Sequence, residues 1–442
     1  MTDPNERQLA EDRPAADDIE ARRALRQLDR ERLTSLQLDR LRRLLAVVLP
    51  ANRFHSERLA GLPAPRSLDE LASWPLMTKQ DLIGDSGEFA SNLTWPIESY
   101  VRFHRTSGTR GRPLVVLDTT EDWDWWCDGW QHVLDVVAPK RGCRALLAFS
   151  FGPFIGFWSA FDAATRRGML VAPAGGMSTA ARVELIRSFR AEVLFCTPTY
   201  AEHLADQAER DGIDPASTDV RAIIVAGEPG GSLPEVRTRI ERRWNARVVD
   251  HAGASEVGPW GIPDPEGRGL LVNEAEFIAE FLLPGSESQA EPNEAAELVL
   301  TSLGRSGSPV IRYRTGDLVR PRRDSAHRDG FVLLEGGVLG RVDDMLIVRG
   351  VNVFPSSIET IIRSFPEVGE YRLIAFRKGA MDAVRIELEQ DRDVIEPVAR
   401  AIELRLGLKA EVASVPSGAL PRSDGKSKRF VDRRRSGEGE TV

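Results

Sequence analysis

Short aliphatic, β-branched runs alternate with amphipathic helical stretches between about residues 144 and 250. We predict strands at Ala145–Phe149, Met169–Val171, Val193–Phe195, Ala222–Val225 and Arg247–Val249, with helices between them at about 154–167, 179–190, 200–211 and 233–244. Such alternation is typical of parallel strands joined by crossover helices and therefore predicts an α/β fold. Ligands of these sheets bind beyond the carboxyl ends of the strands, which draws attention to the loops 196–200, 226–231 and 250–256.

The flanking regions have different patterns. Leucines at helical spacing predict an amphipathic helix that starts near Ile19 and is ended by Pro50. After about residue 270, strands with turns are expected, at Glu297–Thr301, Val310–Tyr313 and Phe331–Leu334. Beyond Arg341 a smaller α+β unit follows, with strands at Met345–Val348, Tyr371–Phe376, Val384–Glu389 and Ala410–Val415. We therefore predict a large domain over 19–340 and a small one over 341–432, with a disordered start (1–18) and a frayed tail (433–442).

Composition narrows the function classes. Among 442 residues, Lys+Arg total 59 and Asp+Glu 67, and this acidic balance argues against a general nucleic-acid binder. The three cysteines are far apart, so neither a zinc site nor a disulfide framework is indicated. The first residues lack the features of a signal peptide, and no apolar run reaches the roughly 20 residues that span a bilayer. We expect a cytoplasmic protein that is not bound to a membrane.

Hydroxyls and glycines are concentrated in the segment 104–113, His-Arg-Thr-Ser-Gly-Thr-Arg-Gly-Arg-Pro, between two β-like runs. A loop of this kind can direct backbone N–H groups and hydroxyls to phosphate oxygens, although an ordinary hairpin turn has the same composition. It is not a Walker A loop, because no Gly-Lys-Ser/Thr ends it. The one Gly-Lys-Ser, at 425–427, has Leu420 where the first Walker glycine belongs.

Two later loops add candidate chemistry. Asp317, in Tyr-Arg-Thr-Gly-Asp, has a carboxylate able to accept two hydrogen bonds from a ribose diol. The basic loop 420–429 offers a lysine, Lys426. Taken singly, a Gly-Asp pair is a common turn, and a basic loop is more often a solvated surface.

In this order, these segments resemble the adenylate-forming superfamily, most closely its phenylacetate–CoA ligase-like branch. The resemblance runs from about Leu41 to about Asp432. It includes the segments 77–81, 104–113, 227–229, 253–256, 313–317, 340–344 and 421–426.

The resemblance implies roles for individual residues. It gives ATP binding to Thr106, Ser107, Gly108, Thr109, Arg110, Gly111, Gly227, Glu228, Pro229, Asp250, His251, Ala252, Ser255, Asp317 and Arg341. Glu256 would hold Mg²⁺, Asp343 would be the hinge, Arg349 and Gly350 would border a thiol tunnel, and catalysis would fall to Lys426, Glu256 and Thr106. From the loops that border the same crevice, we predict an aromatic slot for the acid, made of Phe149, Phe151, Phe154, Trp158, Tyr200, Gly253 and Trp260, although each of these rings could equally be a core side chain.

The implied reaction joins a small aromatic acid to coenzyme A through acyl-AMP, with ATP and Mg²⁺. Other acceptors stay open, including the phosphopantetheine of an acyl carrier protein, as does activation of another oxyanion such as nitrite. A non-catalytic nucleotide-binding protein is the alternative of a different class, and a homodimer is implied by resemblance alone. Two departures bear on ATP: Arg110 replaces a hydroxyl, and Ala252 replaces an aromatic residue that would stack on adenine unless His251 or another ring does so.

Overall fold

The computed structural model describes residues 13–83, 89–106, 113–149, 151–322, 330–342, 346–348, 351–353, 355–378, 381–390, 392–421 and 429–434. Over these ranges, none of the helices combines the length and the apolar character needed to cross a membrane.

From residue 13 onward, the described N-terminal region begins with the helices α1 (Ile19–Arg26), α2 (Arg30–Ala51) and α3 (Arg53–Arg58). The prediction of one helix ended by Pro50 is therefore wrong. Asp29 accepts a hydrogen bond from the Arg32 backbone N–H at 2.8 Å and so begins a new helix, and Pro50 lies inside the last turn of α2.

A hairpin and a tryptophan-rich helix precede the central sheet. After the short helix α4 (Lys79–Ile83), strands β1 (Arg102–Arg105) and β2 (Val115–Asp118) pair antiparallel. Helix α5 (Thr120–Val137) begins at a reciprocal cap between Thr119 and Asp122, and Trp125, Trp126 and Trp130 are buried along it.

The central region is the predicted parallel α/β sheet, and that prediction is confirmed. Its elements are β3 (Arg144–Leu147), α6 (Ile155–Arg166), β4 (Leu170–Pro173), α7 (Thr179–Ser188), β5 (Val193–Cys196), α8 (Pro198–Arg210), β6 (Ala222–Ala226), α9 (Pro234–Trp244) and β7 (Arg247–Ala254). The strand order is β7-β6-β5-β3-β4, with every neighbouring pair parallel. Strand β5 is buried throughout, as expected for a strand covered on both faces.

Antiparallel strands extend this sheet beyond β7. They are β8 (Gly258–Pro263), β9 (Gly269–Val272), β10 (Phe277–Leu282), β11 (Ala296–Ser302), β12 (Tyr313–Arg322) and β13 (Leu333–Arg341), in the order β10-β11-β12-β13-β9-β8-β7. The prediction of a strand at Val310–Tyr313 is wrong about where the strand starts. The observed strand β12 begins at Tyr313, because Arg312 before it has a left-handed backbone (φ +53°).

A smaller unit follows β13 and has its own core. It comprises β14 (Leu346–Val348), β15 (Val351–Val353), α10 (Pro355–Arg363), β16 (Val368–Lys378), β17 (Met381–Gln390), α11 (Ile395–Leu406), β18 (Glu411–Val415) and β19 (Phe430–Asp432). Four strands form one sheet in the order β18-β17-β16-β19. Buried residues including Ile358, Leu388 and Val398 make a hydrophobic cluster separate from that of the large sheet.

Candidate active site

Four polar side chains meet beyond the carboxyl end of β7, those of Lys79, Thr106, Tyr313 and Glu256. Glu256 lies in the turn to β8, and its Oε1 accepts a hydrogen bond from the Tyr313 hydroxyl at 2.8 Å. Burial, and after it the Glu256 charge, raises the pKa of Tyr313 well above its ordinary value, so the phenol remains a donor. Lys79 Nζ is 3.3 Å from Thr106 Oγ1 and 4.0 Å from Glu256 Oε1. Two predicted residues, Thr106 and Glu256, therefore face one ammonium group.

Lys79 reaches this corner because the chain before it pairs with β12. The Met77 backbone N–H donates to Arg312 O, and Met77 O accepts from the Arg314 N–H, each at 2.8 Å. The sequence analysis included segment 77–81 in the resemblance but assigned no role to Lys79. Only the fold shows that its ammonium faces Glu256.

A fully buried ion pair fixes the turn that carries Glu256. Arg305 Nε donates to Asp118 Oδ1 at 2.8 Å, and both side chains have no exposed surface. Arg305 Nη1 also donates to the carbonyl of Ser255 at 2.9 Å. Since Asp118 ends β2, the pair ties the hairpin that carries Thr106 to the turn that carries Glu256.

We expect Arg305→Met to lower the free energy of unfolding by about 3–5 kcal/mol, because it leaves the Asp118 carboxylate buried without its partner. Chemical denaturation followed by tryptophan fluorescence measures this. Arg190→Met is the matched control, since Arg190 pairs with Asp219 on an exposed surface and its loss should hardly move the unfolding curve. Equal shifts for the two variants would contradict this structural role of Arg305.

Asp317 and Arg341 are cross-strand partners at the junction of β12 and β13. Arg341 Nη1 donates to Asp317 Oδ1 at 2.9 Å, and the aspartate side chain is 14% exposed while the arginine is 44% exposed. Gly316, with φ +72°, lies inside β12 where the register with β11 shifts, so the Gly-Asp sequence marks an irregularity of this strand and not the turn that it suggested. The two residues predicted to meet the ribose are thus adjacent.

The turn 227–229 and Asp250 lie at two different cavities. Glu228 and Pro229 border a cavity of about 170 Å³ with Arg341, Tyr371 and Arg429. Glu228 Oε1 accepts from the Thr199 backbone N–H at 2.8 Å, which also satisfies the first turn of α8.

Asp250 borders a second, polar cavity of about 150 Å³ together with Ser232, Arg237 and Asp264. Ser232 Oγ donates to Asp250 Oδ2. Burial raises the pKa of Asp250 to about 7, against the opposing effect of the Ser232 hydrogen bond.

His251 lies on the opposite face of β7 from Asp250, because successive side chains of a strand alternate. It is 5% exposed, its ring centroid is 4.1 Å from that of Trp130, and its Nδ1 is 2.7 Å from Gly261 O. The half-buried Ala252 shares the face of Asp250. That His251 supplies the missing adenine-stacking ring stays a prediction, and in this arrangement its ring packs against Trp130.

Four rings of the predicted acid slot gather around the loop after β3. Phe151 meets Trp158 edge-on at 5.0 Å, and Phe149 and Phe154 contact Phe157 at centroid distances of 4.1 and 6.3 Å. Phe154 and Trp158 are 37% and 36% exposed.

The other members of the predicted slot lie elsewhere in the site. Tyr200 and Trp260 are each 1% exposed, on α8 and β8, whereas Gly253 is exposed. The Tyr200 hydroxyl accepts from the buried Arg182. Tyr200 and Trp260 are therefore core side chains, and the sequence analysis missed Trp130 and Arg182 because nothing at that level marks them as neighbours of the site.

Nine of the predicted site residues lie outside the described residues. They are Ser107, Gly108, Thr109, Arg110, Gly111, Asp343, Arg349, Gly350 and Lys426.

The group formed by Lys79, Thr106 and Glu256 suits a magnesium ion that the protein holds through a single carboxylate. In the described part of the chain, three or more His, Cys, Asp or Glu side chains do not gather anywhere as a metal-binding group. Mg²⁺ commonly binds through one carboxylate, with substrate phosphates and water completing its shell. Glu256, beside the residue that begins the phosphate loop, matches that donor set.

Comparison with known proteins agrees with this geometry. The family model described as the AMP-binding enzyme C-terminal domain matches residues 350–434. The phenylacetate-coenzyme A ligase of Pseudomonas putida is 33% identical over 83% of this chain and 85% of its own, and that of Thermus thermophilus is 30% identical over 93% and 99%.

Solved structures show the same fold. A 2-hydroxyisobutyryl-CoA ligase in its postadenylation state matches with a TM-score of 0.86 and 24% identity, over 93% of this chain and 92% of that one. The fold and these similarities define an AMP-forming acid–thiol ligase. Within that class, the chain belongs to the phenylacetate–coenzyme A ligase family.

Proposed function

We propose that this ligase activates an aromatic carboxylic acid with ATP and transfers the acyl group to coenzyme A. The family shows the class of reaction, and the aromatic acid is the part proposed here. The observation that carries the proposal is the corner of Lys79, Thr106 and Glu256 at the carboxyl end of β7. Positive charge, a hydroxyl and a single carboxylate at that edge suit a bound polyphosphate with its metal.

The aromatic character of the acid is supported by the ring cluster after β3. Phe151 and Trp158 present flat apolar surfaces, and Trp158 is oriented by its Nε1–H, which donates to Gly152 O at 3.0 Å. Curated relatives that are 30–34% identical are named phenylacetate-coenzyme A ligases.

In the first half-reaction, a carboxylate oxygen of the acid attacks the α-phosphorus, and the bond to the bridging oxygen of pyrophosphate breaks. Two anions must approach each other, so positioning and positive charge are the main requirements. Thr106 holds the start of the phosphate loop, with its backbone N–H bonded to Leu114 O at 2.9 Å. Lys79 supplies charge beside that loop, and Lys426 would supply it at the attacking carboxylate.

Magnesium would be held by the carboxylate of Glu256, whose Oε1 also accepts the hydrogen bond from Tyr313. When bound, Mg²⁺ neutralises phosphate charge in the transition state. The protein's part is to orient Glu256, which the hydrogen bond from the Tyr313 hydroxyl does, with the Lys79 ammonium 4.0 Å from the same carboxylate oxygen.

In the second half-reaction, the sulfur of coenzyme A attacks the acyl carbon, and AMP leaves with the former carboxylate oxygen. The arrangement described here joins the two units through Arg429, whose Nη1 donates to Thr199 Oγ1 at 3.1 Å. The whole-chain TM-score falls from 0.86 for the postadenylation state of the 2-hydroxyisobutyryl-CoA ligase to 0.69 for its thioesterification state. These values support an adenylation-side arrangement, from which the small unit would turn about Asp343.

The Arg429 side chain is largely buried, whereas the sequence of the basic loop suggested a solvated charge. Its Nε donates to Glu370 Oε1 at 2.6 Å, and its side chain is 13% exposed. A cytoplasmic location and a homodimer stay predictions from the sequence.

Pyrophosphate release from the purified protein, with ATP and Mg²⁺, tests the proposal. Aromatic and aliphatic acids are compared, first without and then with coenzyme A. We expect release with aromatic acids, increased by coenzyme A together with thioester formation. Release unaffected by coenzyme A would indicate a carrier protein or another acceptor, and no release with any acid would contradict the proposal.

Asp317→Ala should raise the KM for ATP at least about tenfold while changing the KM for the acid little, because two hydrogen bonds to ribose hydroxyls are lost. Initial-rate kinetics with each substrate varied in turn measures this. Asp219→Ala is the control, since Asp219 precedes β6 at the opposite edge of the sheet. An unchanged KM for ATP would contradict the ribose assignment.

A further inference from the structure

Arg429 is held firmly to the small unit. Its Nε and Nη2 donate to the two carboxylate oxygens of Glu370, at 2.6 and 3.1 Å. The guanidinium also lies over the ring of Tyr371, 5.3 Å from its centroid. An arginine that bonds to a carboxylate through two nitrogens is fixed in direction as well as in place. The guanidinium therefore keeps its orientation relative to β16, the strand that carries both partners.

The remaining nitrogen of Arg429 reaches the large domain. Its Nη1 donates to Thr199 Oγ1 at 3.1 Å, and Glu359 Oε1 of the small unit lies 3.4 Å from the same nitrogen. Thr199 stands in the first turn of α8, and its backbone N–H donates to Glu228 Oε1 at 2.8 Å. The hydroxyl that accepts from Arg429 is thus fixed beside the turn that is predicted to bind ATP.

The surroundings of Arg429 allow this contact to separate. A cavity of about 170 Å³ lies between the units, bordered by Glu228, Pro229 and Arg341 from one side and by Glu359, Tyr371 and Arg429 from the other. Arg429 therefore is not enclosed by a continuous apolar core where it meets Thr199. One hydrogen bond to a neutral hydroxyl is also weaker than the double bond to the Glu370 carboxylate. When the units part, the bond to Thr199 breaks and Arg429 moves with the small unit.

Arg429 is also close in the chain to the lysine that is predicted to act in adenylation. Among the described residues it is the nearest in sequence to Lys426, which it follows by three positions. Three residues of extended chain span at most about 11 Å. The backbone of Arg429 is anchored as well, because its carbonyl accepts from the Leu373 N–H at 2.7 Å. A contact that fixes Arg429 against the large domain therefore limits where Lys426 can lie.

We propose that Arg429 is a positioning residue of the first half-reaction: its hydrogen bond to Thr199 holds the small unit where Lys426 can reach the α-phosphate, and this bond breaks before thioester formation. The inference rests on the proposed function and adds a residue whose effect differs between the two half-reactions. A contact made in one arrangement and absent from the other shifts the balance between them by its own free energy. Loss of the bond therefore slows adenylation and does not slow the second step.

Thr199→Val tests this from the large-domain side, because it removes the acceptor and keeps the backbone N–H that bonds to Glu228. Adenylation is measured as pyrophosphate release with the acid that the wild type uses best. The second step is measured as thioester formation from the synthetic acyl-AMP of that acid and coenzyme A. We expect adenylation to fall about three- to tenfold, the value of one ordinary hydrogen bond, and thioester formation to stay equal or rise.

Thr218→Val is the matched control, since the Thr218 hydroxyl donates to Pro215 O at 2.7 Å within its own turn. It should change neither step. Equal losses of both steps in Thr199→Val, as a merely structural role would give, would overturn the inference, and so would no change in either.

Thr199→Asp makes the opposite change. It places a carboxylate near the position of the hydroxyl, in the first turn of α8, where negative charge is favourable. The charged pair with Arg429 should hold the first arrangement longer, so thioester formation should slow at least about threefold while adenylation does not. Thioester formation at the wild-type rate in this variant would contradict the role of Arg429. Absence of pyrophosphate release from the wild type with every acid would instead count against the proposed function itself.

Discussion

Glu256→Gln is expected to reduce acid-dependent pyrophosphate release about 100- to 1000-fold in kcat/KM, the size of effect seen when one group that stabilises transition-state charge is removed. Glutamine keeps the shape of the side chain, and its carbonyl oxygen can still accept the hydrogen bond from Tyr313. The charge that binds the metal is lost. Rates measured over a range of Mg²⁺ concentrations should therefore show a higher requirement for the ion.

Tyr313→Phe is the matched comparison, because it removes the hydroxyl that orients Glu256 but leaves the carboxylate charged. We expect a loss of about three- to tenfold, which corresponds to one ordinary hydrogen bond of about 1 kcal/mol. If Glu256→Gln kept the wild-type rate at ordinary Mg²⁺, or lost no more than Tyr313→Phe, Glu256 would not be the metal ligand.

Lys426→Ala should reduce adenylation at least about 100-fold, because the approach of a carboxylate to the α-phosphate then lacks its cation. Thioester formation from synthetic acyl-AMP and coenzyme A should stay close to the wild-type rate, since that step brings a thiol to a mixed anhydride. Separate assays of the two half-reactions measure this difference.

Lys428→Ala serves as the control for Lys426→Ala, since it removes a lysine two positions away in the same basic loop. It should leave both half-reactions nearly unchanged. Equal loss of both half-reactions in Lys426→Ala, or a larger loss in Lys428→Ala, would contradict the role given to Lys426.

The parallel half of the sheet could be predicted because most of its strands are short, mainly apolar runs between amphipathic helices. Val193–Cys196 is one such strand, and its observed bounds differ from the predicted ones by a single residue. The antiparallel half gave a weaker signal. Strand β8, Gly258–Pro263, contains two glycines, two prolines and a tryptophan, and its identity as a strand depends on its pairing with β7 and β9.

The candidate site likewise contains some residues that the sequence could indicate and others that only the fold identifies. Glu256 and Asp317 belong to segments that the resemblance includes, so both could be proposed from the sequence. Lys79 depends on the pairing of Met77 with β12, more than 200 residues later, and Arg305 depends on a buried ion pair with Asp118. The face of β7 on which His251 lies was likewise open until the register with β6 and β8 was known, because a shift of one residue exchanges the faces.

The path of one oxygen atom tests the central claim most directly. The acid is supplied with both carboxylate oxygens as ¹⁸O, and the products with ATP and coenzyme A are analysed by mass spectrometry. Attack of the carboxylate on the α-phosphorus followed by thiol attack on the acyl carbon predicts one ¹⁸O in AMP and one in the thioester. Label in inorganic phosphate, with ADP as the nucleotide product, would contradict an acyl-AMP intermediate.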